Sequence, residues 1–118
     1  MVKRYEDIPH VMIPEMKGGT GSVTKIASVE PGEYDSDAKV VARLILQPGD
    51  SIGRHVHTGE EEIMTVLKGM ARYVDENGET ILRPGDVTVC RNGQGHSVAN
   101  ASDSGSLELF ALVIGVSG

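Results

Sequence analysis

Short runs rich in β-branched residues recur along this chain, and turns that contain glycine or proline separate them. In several runs apolar residues stand two positions apart, the spacing that places side chains on one face of a strand. Many short strands at such spacing are typical of a β-sandwich or a closed barrel. The pattern therefore predicts an all-β fold, with strands over residues 22–29, 40–46, 62–68, 71–75, 79–83, 86–90, 96–100 and 106–116.

Five dipeptides mark turns between these runs: Pro31-Gly32, Pro48-Gly49, Asn77-Gly78, Pro84-Gly85 and Asn92-Gly93. The strongest hairpin signal is Asn77-Gly78, because this pair accepts the positive φ angles of a type I′ turn. No helix of ordinary length is predicted, apart from a turn near residues 5–10.

Residues 16–23 read MKGGTGSV and could be taken for a phosphate-binding loop. Such a loop ends in Gly-Lys-Ser/Thr and is followed by a helix, and this segment has neither feature. We therefore predict a flexible lead-in to the first strand.

Length, charge and cysteine content limit the number of domains, the kinds of partner and the cellular location that we expect. The 118 residues suffice for one hydrophobic core, so we expect a single domain over residues 1–118. A formal net charge of -6 disfavours nucleic acid and anionic lipid as partners. The single cysteine has no disulfide partner in the chain, and no apolar stretch reaches the length of a signal peptide or a membrane span. We expect a soluble, cytoplasmic protein.

Three of the four histidines fall within two segments, residues 49–69 and 85–100, and the first segment also contains a candidate carboxylate. His55 and His57 share a face of any regular strand that contains both. Glu62 and His96 each open a predicted strand and have an apolar residue two positions on, as at the polar mouth of a barrel. Imidazole and carboxylate are ligands of first-row divalent metals. A metal site is the first functional hypothesis.

These segments resemble the two sequence motifs of the cupin superfamily. The first motif is a glycine, five residues, His-x-His, three or four residues, glutamate, six residues and glycine. This chain matches it with Gly49, His55, His57, Glu62 and Gly69.

The second cupin motif is a glycine, five residues, Pro-x-Gly, two residues, histidine, three residues and asparagine. This chain matches it with Gly85, Gly93, His96 and Asn100. Arg91 stands where the family usually has proline, which puts the rigidity of that turn in question. The short segment between the motifs is similar to that of compact single-domain microbial cupins, and the motif-bearing core spans residues 40–116.

The resemblance implies a small jelly-roll barrel (double-stranded β-helix) in which His55, His57, Glu62 and His96 hold one divalent transition metal with two positions open. Mn²⁺, Fe²⁺, Ni²⁺ and Zn²⁺ all suit this ligand set. A metal-dependent enzyme of the dioxygenase or isomerase type, acting on a small oxygenated metabolite, is the leading hypothesis. One alternative is a non-catalytic binder or sensor of a small anion or sugar. Another is a cupin that has lost its metal and keeps the four residues as hydrogen-bonding groups.

Three consecutive glutamates complicate the choice of carboxylate. Glu61 satisfies the shorter motif spacing, but the six residues before Gly69 favour Glu62. Glu60 has the parity of Glu62; a solvated turn position is favoured for it, and a role beside the metal ligands is the alternative.

The remaining candidates are weaker. His10 is predicted at the surface, and Cys90 is predicted to be a small buried residue. Arg43 projects either into the barrel toward an anionic ligand or to solvent. Residues 106–116 have apolar side chains of both parities, so one face can pack inward while the other meets a second copy. We expect a homodimer.

Overall fold

In the computed structural model, which describes residues 1–117, two antiparallel sheets pack face to face. The strands are β1 (His10–Pro14), β2 (Ser22–Ala27), β3 (Ala38–Leu46), β4 (Ser51–Val56), β5 (Glu60–Lys68), β6 (Ala71–Asp75), β7 (Gly78–Leu82), β8 (Val87–Cys90), β9 (Gly95–Asn100) and β10 (Leu107–Gly115). One sheet has the order β1-β2-β3-β10-β5-β8 and the other β4-β9-β6-β7. Within these residues no helix is long and apolar enough to cross a membrane.

The all-β prediction is confirmed, and each of the eight predicted strands is present with its ends shifted by at most two residues. The sequence pattern missed β1 and β4. Prolines flank or end β1, and β4 contains a glycine beside the basic pair Arg54-His55, so neither segment forms an uninterrupted strand-like run. The turn expected near residues 5–10 is a 3-10 helix over Tyr5–Asp7.

Alternate residues of most strands build the core between the two sheets. In β3, Leu44 and Leu46 are buried, whereas Ile45 between them is only partly buried. The same alternation buries Leu107 and Leu109 in β10. Hydrogen bonds run within each sheet rather than around a closed barrel. The jelly roll is therefore closed by side-chain packing between its two sheets.

The hairpin predicted at Asn77-Gly78 joins β6 to β7, but its turn is not of the predicted type. Gly78 has a φ of 107°, whereas Asn77 is not among the residues with positive φ. A type I′ turn requires positive φ at both central residues, so that prediction is wrong. The carboxylate of Asp75 accepts a hydrogen bond from the backbone N–H of Asn77 (2.8 Å) and stabilises the turn locally.

Arg91 keeps its turn ordered in the absence of the motif proline. The backbone N–H of Gln94 donates to the carbonyl oxygen of Arg91 (2.9 Å), and the N–H of Arg91 donates to Gln94 Oε1 (2.9 Å). Proline lacks an N–H and could not make the second bond. The hydrogen bond from the Arg91 backbone to the Gln94 side chain thus restrains this turn, whereas most cupins have the rigid ring of proline at position 91.

Residues 16–21 form a tight turn against β4, and residues 22–23 already belong to β2, so the segment is not the flexible lead-in that the sequence predicts. Met16–Gly18 is a 3-10 helix, and the Met16 side chain packs against the core. A Cβ atom on Gly19 would overlap the backbone of Ser51, and one on Gly53 would overlap the backbone of the turn. Paired glycines allow this close approach. The backbone of the turn therefore packs directly against β4.

Candidate metal centre

A β-bulge in β4 directs the first two histidines inward. Ile52 pairs with Val98, but His55 rather than residue 54 pairs with His96, so β4 has one more residue than β9 between these pairs. The extra residue moves the inward-facing positions from even to odd numbers. Without it, burial of Ile52 would place His55 on the outer face. His57, one residue beyond the strand, follows the shifted pattern and is 6% exposed.

Three imidazoles and one carboxylate meet at this end of the molecule. The Nε2 atom of His96 lies 3.1 Å from Nε2 of His57 and 3.2 Å from Nε2 of His55. Glu62 Oε1 lies 2.8 Å from Nε2 of His96 and 3.1 Å from Nε2 of His57. The ligand atoms of all four residues lie within 4.8 Å of one another. The structure thus brings together the four candidate ligands and could hold a metal among them.

The second ring nitrogen of each histidine, Nδ1, contacts a group outside this centre. The partners are the carbonyl oxygen of Gly53 for His55 (2.8 Å), Glu60 Oε2 for His57 (2.6 Å) and the Tyr73 hydroxyl for His96 (2.8 Å). When Nδ1 carries the proton and donates to such an oxygen, the lone pair of a neutral imidazole is on Nε2. These contacts therefore orient three lone pairs toward one point.

Glu60 lies beside the candidate ligands, which was the less favoured of the two interpretations drawn from the sequence. Its Oε2 atom contacts Nδ1 of His57, and its side chain is 26% exposed, so the interpretation as a solvated turn residue is wrong. The sequence did not single out Tyr73, which is 4% exposed in β6. Burial raises the pKa of Tyr73 to about 12, so the residue remains a neutral hydroxyl.

Glu62, and not Glu61, faces the histidines. Glu62 is 8% exposed and shares the inward face of β5 with Met64, whereas Glu61 has the opposite parity and lies beside Arg91 in a separate surface depression. Burial raises the pKa of Glu62, but the hydrogen bond with His96 and the neighbouring imidazole charges outweigh burial, so the net shift of this pKa is downward. The group is a carboxylate at neutral pH.

The electrostatics of this donor set fit a divalent cation. Burial lowers the pKa of His55, which favours the neutral imidazole that a metal requires. Lone pairs on Nε2 atoms 3.1 and 3.2 Å apart repel one another, and a cation between them removes that repulsion. Adjacent ligands on an ion with bonds of about 2.1 Å are about 3 Å apart, close to the spacing found here.

A cavity of ≈ 130 Å³ adjoins the centre. Its polar floor includes His55, His57, Glu60 and Glu62, and its remaining lining is apolar or basic: Met16, Val40, Leu44, Val113, Lys17, Lys25 and Lys39. A small molecule in this cavity would contact the ligand set directly.

The other candidate residues lie away from the cavity. Arg43 is on the outer face of β3, where it forms an ion pair with Glu108 (2.9 Å) and lies 5.9 Å from the centre of the Tyr5 ring, so it does not project into the barrel. His10 is exposed, as predicted. Cys90 is 1% exposed, also as predicted, and burial raises its pKa to about 11.

Comparison with known proteins agrees with this fold. A Thermotoga maritima protein named oxalate-binding protein is 33% identical over 114 residues, 97% of this chain and 93% of that protein. A crystal structure from the same species, of a protein described as a predicted oxalate decarboxylase, aligns with a TM-score of 0.92 at 33% identity and covers 98% of this chain and 100% of the other.

A further solved structure is a sugar phosphate isomerase of the cupin superfamily from Silicibacter pomeroyi, with a TM-score of 0.70 and 24% identity over 80% of this chain and 60% of the other. At this identity the likeness concerns the fold alone. The sequence profile of the cupin domain matches residues 42–115, which include all four converging residues. With this match and the 33% identical relative, the chain belongs to the cupin superfamily.

Proposed function

We propose that this cupin binds one divalent transition metal ion through His55, His57, Glu62 and His96. The observation that carries the proposal is the convergence of three Nε2 atoms and one carboxylate oxygen within 4.8 Å. Burial of such a polar cluster is costly unless each group has a partner. Mn²⁺, Fe²⁺, Ni²⁺ and Zn²⁺ all suit these donors.

The cavity beside the centre suits a small oxygenated ligand. Its volume of ≈ 130 Å³ accommodates a molecule of a few non-hydrogen atoms. A bound divalent ion supplies Lewis-acid attraction for the oxygen atoms of such a ligand. On the protein side, Glu60 and Tyr73 hold the imidazoles of His57 and His96 in orientation, and apolar side chains line part of the cavity.

Binding without turnover is the function that this geometry supports best. Glu60 and Glu62 are the carboxylates that line the cavity within residues 1–117, and imidazole nitrogens engage both. Reactions that require proton transfer need a base that is free to accept the proton. The relative named oxalate-binding protein supports the same choice. The proposed ligand is a small carboxylate of the oxalate class, which reverses the order of hypotheses drawn from sequence.

A metal-dependent enzyme is the second candidate. The cavity gives a small molecule direct access to the histidines, and the structural relative described as a predicted oxalate decarboxylase is 33% identical. In that case the cavity would hold a small substrate beside the candidate metal ligands. Oxygenase and isomerase reactions are both compatible with this arrangement.

Elemental analysis of purified protein tests the metal proposal. We expect one transition metal ion per chain in the wild type and loss of that ion in His57→Ala. His10→Ala is the matched control, because His10 is exposed and distant from the cluster. Equal metal content in the wild type and His57→Ala would contradict the assignment.

Incubation of the metal-loaded protein with oxalate, lactate, acetylacetone and glucose separates the two candidates. Saturable binding of oxalate, with the ligand recovered unchanged and no O₂ consumed, supports the binder. Product formation or O₂ uptake that His96→Ala abolishes would establish the enzyme instead.

A further inference from the structure

Three lysines line the cavity beside the candidate metal centre in a chain that is acidic overall. Lys17, Lys25 and Lys39 all line this cavity, although the formal net charge of the chain is -6. Within residues 1–117 the ion pairs made by lysine and arginine involve other side chains, and none of these three ammonium groups has a carboxylate partner. The three ammonium groups therefore line the cavity without a direct ion pair.

The backbone holds Lys17 in place. Lys17 has a φ of 54° and Glu15 a φ of 47°, a region that residues other than glycine rarely adopt. The N–H of Gly18 donates to the carbonyl oxygen of Glu15 (2.9 Å), and the close approach of this turn to Gly53 fixes it on β4. Strain of this kind persists where the surrounding contacts enforce it, and it is frequent at ligand sites.

Lys25 and Lys39 come from two other strands. Lys25 in β2 pairs with Leu44 in β3, and cross-strand partners share a face, so Lys25 lies on the inner side of the sheet. Lys39 is the second residue of β3 and precedes Val40, which lines the cavity. Three separate segments thus supply the three ammonium groups.

We propose that Lys17, Lys25 and Lys39, here called the lysine rim, select a ligand that carries two negative charges. This inference rests on the proposed function, because one oxygen group of the ligand is held at the metal centre. Glu60 and Glu62 offset a divalent ion, so the charge that remains at the mouth is that of the rim. An ammonium group is a donor that pairs with carboxylate oxygens in any orientation, which suits the end of the ligand that projects from the metal.

Oxalate and oxamate test the rim, because they differ by one charge and scarcely in size. We would measure both affinities by calorimetry on metal-loaded wild type, on Lys17→Met/Lys25→Met, on Lys17→Arg and on Lys68→Met. Lys68 is exposed at the end of β5 and does not line the cavity, so its variant controls for the loss of one positive charge outside the cavity.

We expect the ratio of oxalate to oxamate affinity to fall about tenfold in the double variant, with a weaker dependence of oxalate binding on salt. The ratio should stay within about twofold of wild type in Lys17→Arg and in Lys68→Met. An unchanged ratio in the double variant, or an equal fall in Lys68→Met, would overturn the rim.

The metal content of the same samples distinguishes failure of the rim proposal from failure of the metal-binding proposal on which it rests. Full metal content in every sample, with an unchanged ratio in the double variant, overturns the rim alone. A wild type without metal contradicts the proposed metal function; if it nevertheless binds oxalate in a manner that depends on the rim, the rim stands. If metal-loaded wild type binds neither anion, the lysine rim and the proposed carboxylate ligand are both contradicted, and the metal assignment stands.

Discussion

Replacement of Tyr73 by phenylalanine removes one oxygen atom beside the candidate metal centre. The Tyr73 hydroxyl lies 2.8 Å from Nδ1 of His96, the nitrogen that faces away from the other ligands. Phenylalanine retains the ring and its packing in β6, so the change isolates this hydrogen bond from the hydrophobic core. If the contact orients His96, its loss should weaken metal binding.

The burial of both residues determines the size of the expected effect. Tyr73 is 4% exposed and His96 is 1% exposed, so solvent has little access to replace the lost partner. An unpaired polar group in such a place costs about 1–3 kcal/mol. Loss of a partner that orients a metal-ligating histidine typically weakens metal affinity by about 10- to 100-fold. We expect an effect in this range.

Chelator competition with Zn²⁺ or Mn²⁺ measures the affinity of the wild type, Tyr73→Phe and Tyr5→Phe. The second variant is the matched control, because Tyr5 is 54% exposed and contacts none of the four candidate ligands. Unfolding in denaturant, without metal, shows whether Tyr73→Phe remains folded. Equal affinities in the two folded variants would refute the argument that the hydroxyl orients His96.

Three further predictions follow from the same geometry. Burial lowers the pKa of His55, so this imidazole stays neutral into the mildly acidic range; metal affinity should be constant around neutral pH and fall on stronger acidification, and an affinity that does not fall before the protein unfolds would contradict imidazole ligation. Glu60→Gln should weaken metal binding about tenfold and Glu61→Gln should not, because Glu60 contacts His57 whereas Glu61 lies on the opposite face of β5; the same competition assay checks both. The outer face of β5 and β8 carries exposed apolar residues, so light scattering should report a homodimer that Val89→Glu dissociates and Ile81→Glu does not; a monomeric wild type at high micromolar concentration would be contrary evidence.

The sequence by itself determined the fold class and the identity of the candidate ligands. Strand positions could be predicted because apolar periodicity and turn dipeptides such as Pro48-Gly49 are local properties of the chain. The four candidate ligands could be identified because their spacing along the chain matches the two cupin motifs. That spacing is a property of the sequence alone. Turn geometry at Asn77-Gly78 was less accessible, since one dipeptide is compatible with more than one turn type.

Only the tertiary structure decided how those ligands are aimed and what surrounds them. Ile52 and His55 have opposite parity, and the bulge that places both inward exists only through the pairing of β4 with β9. Tyr73 contacts His96 across 23 positions of sequence. The lysine rim likewise combines side chains from a turn and two strands. Such contacts depend on strand register and on the packing of one sheet against the other, and no local pattern of residues contains that information.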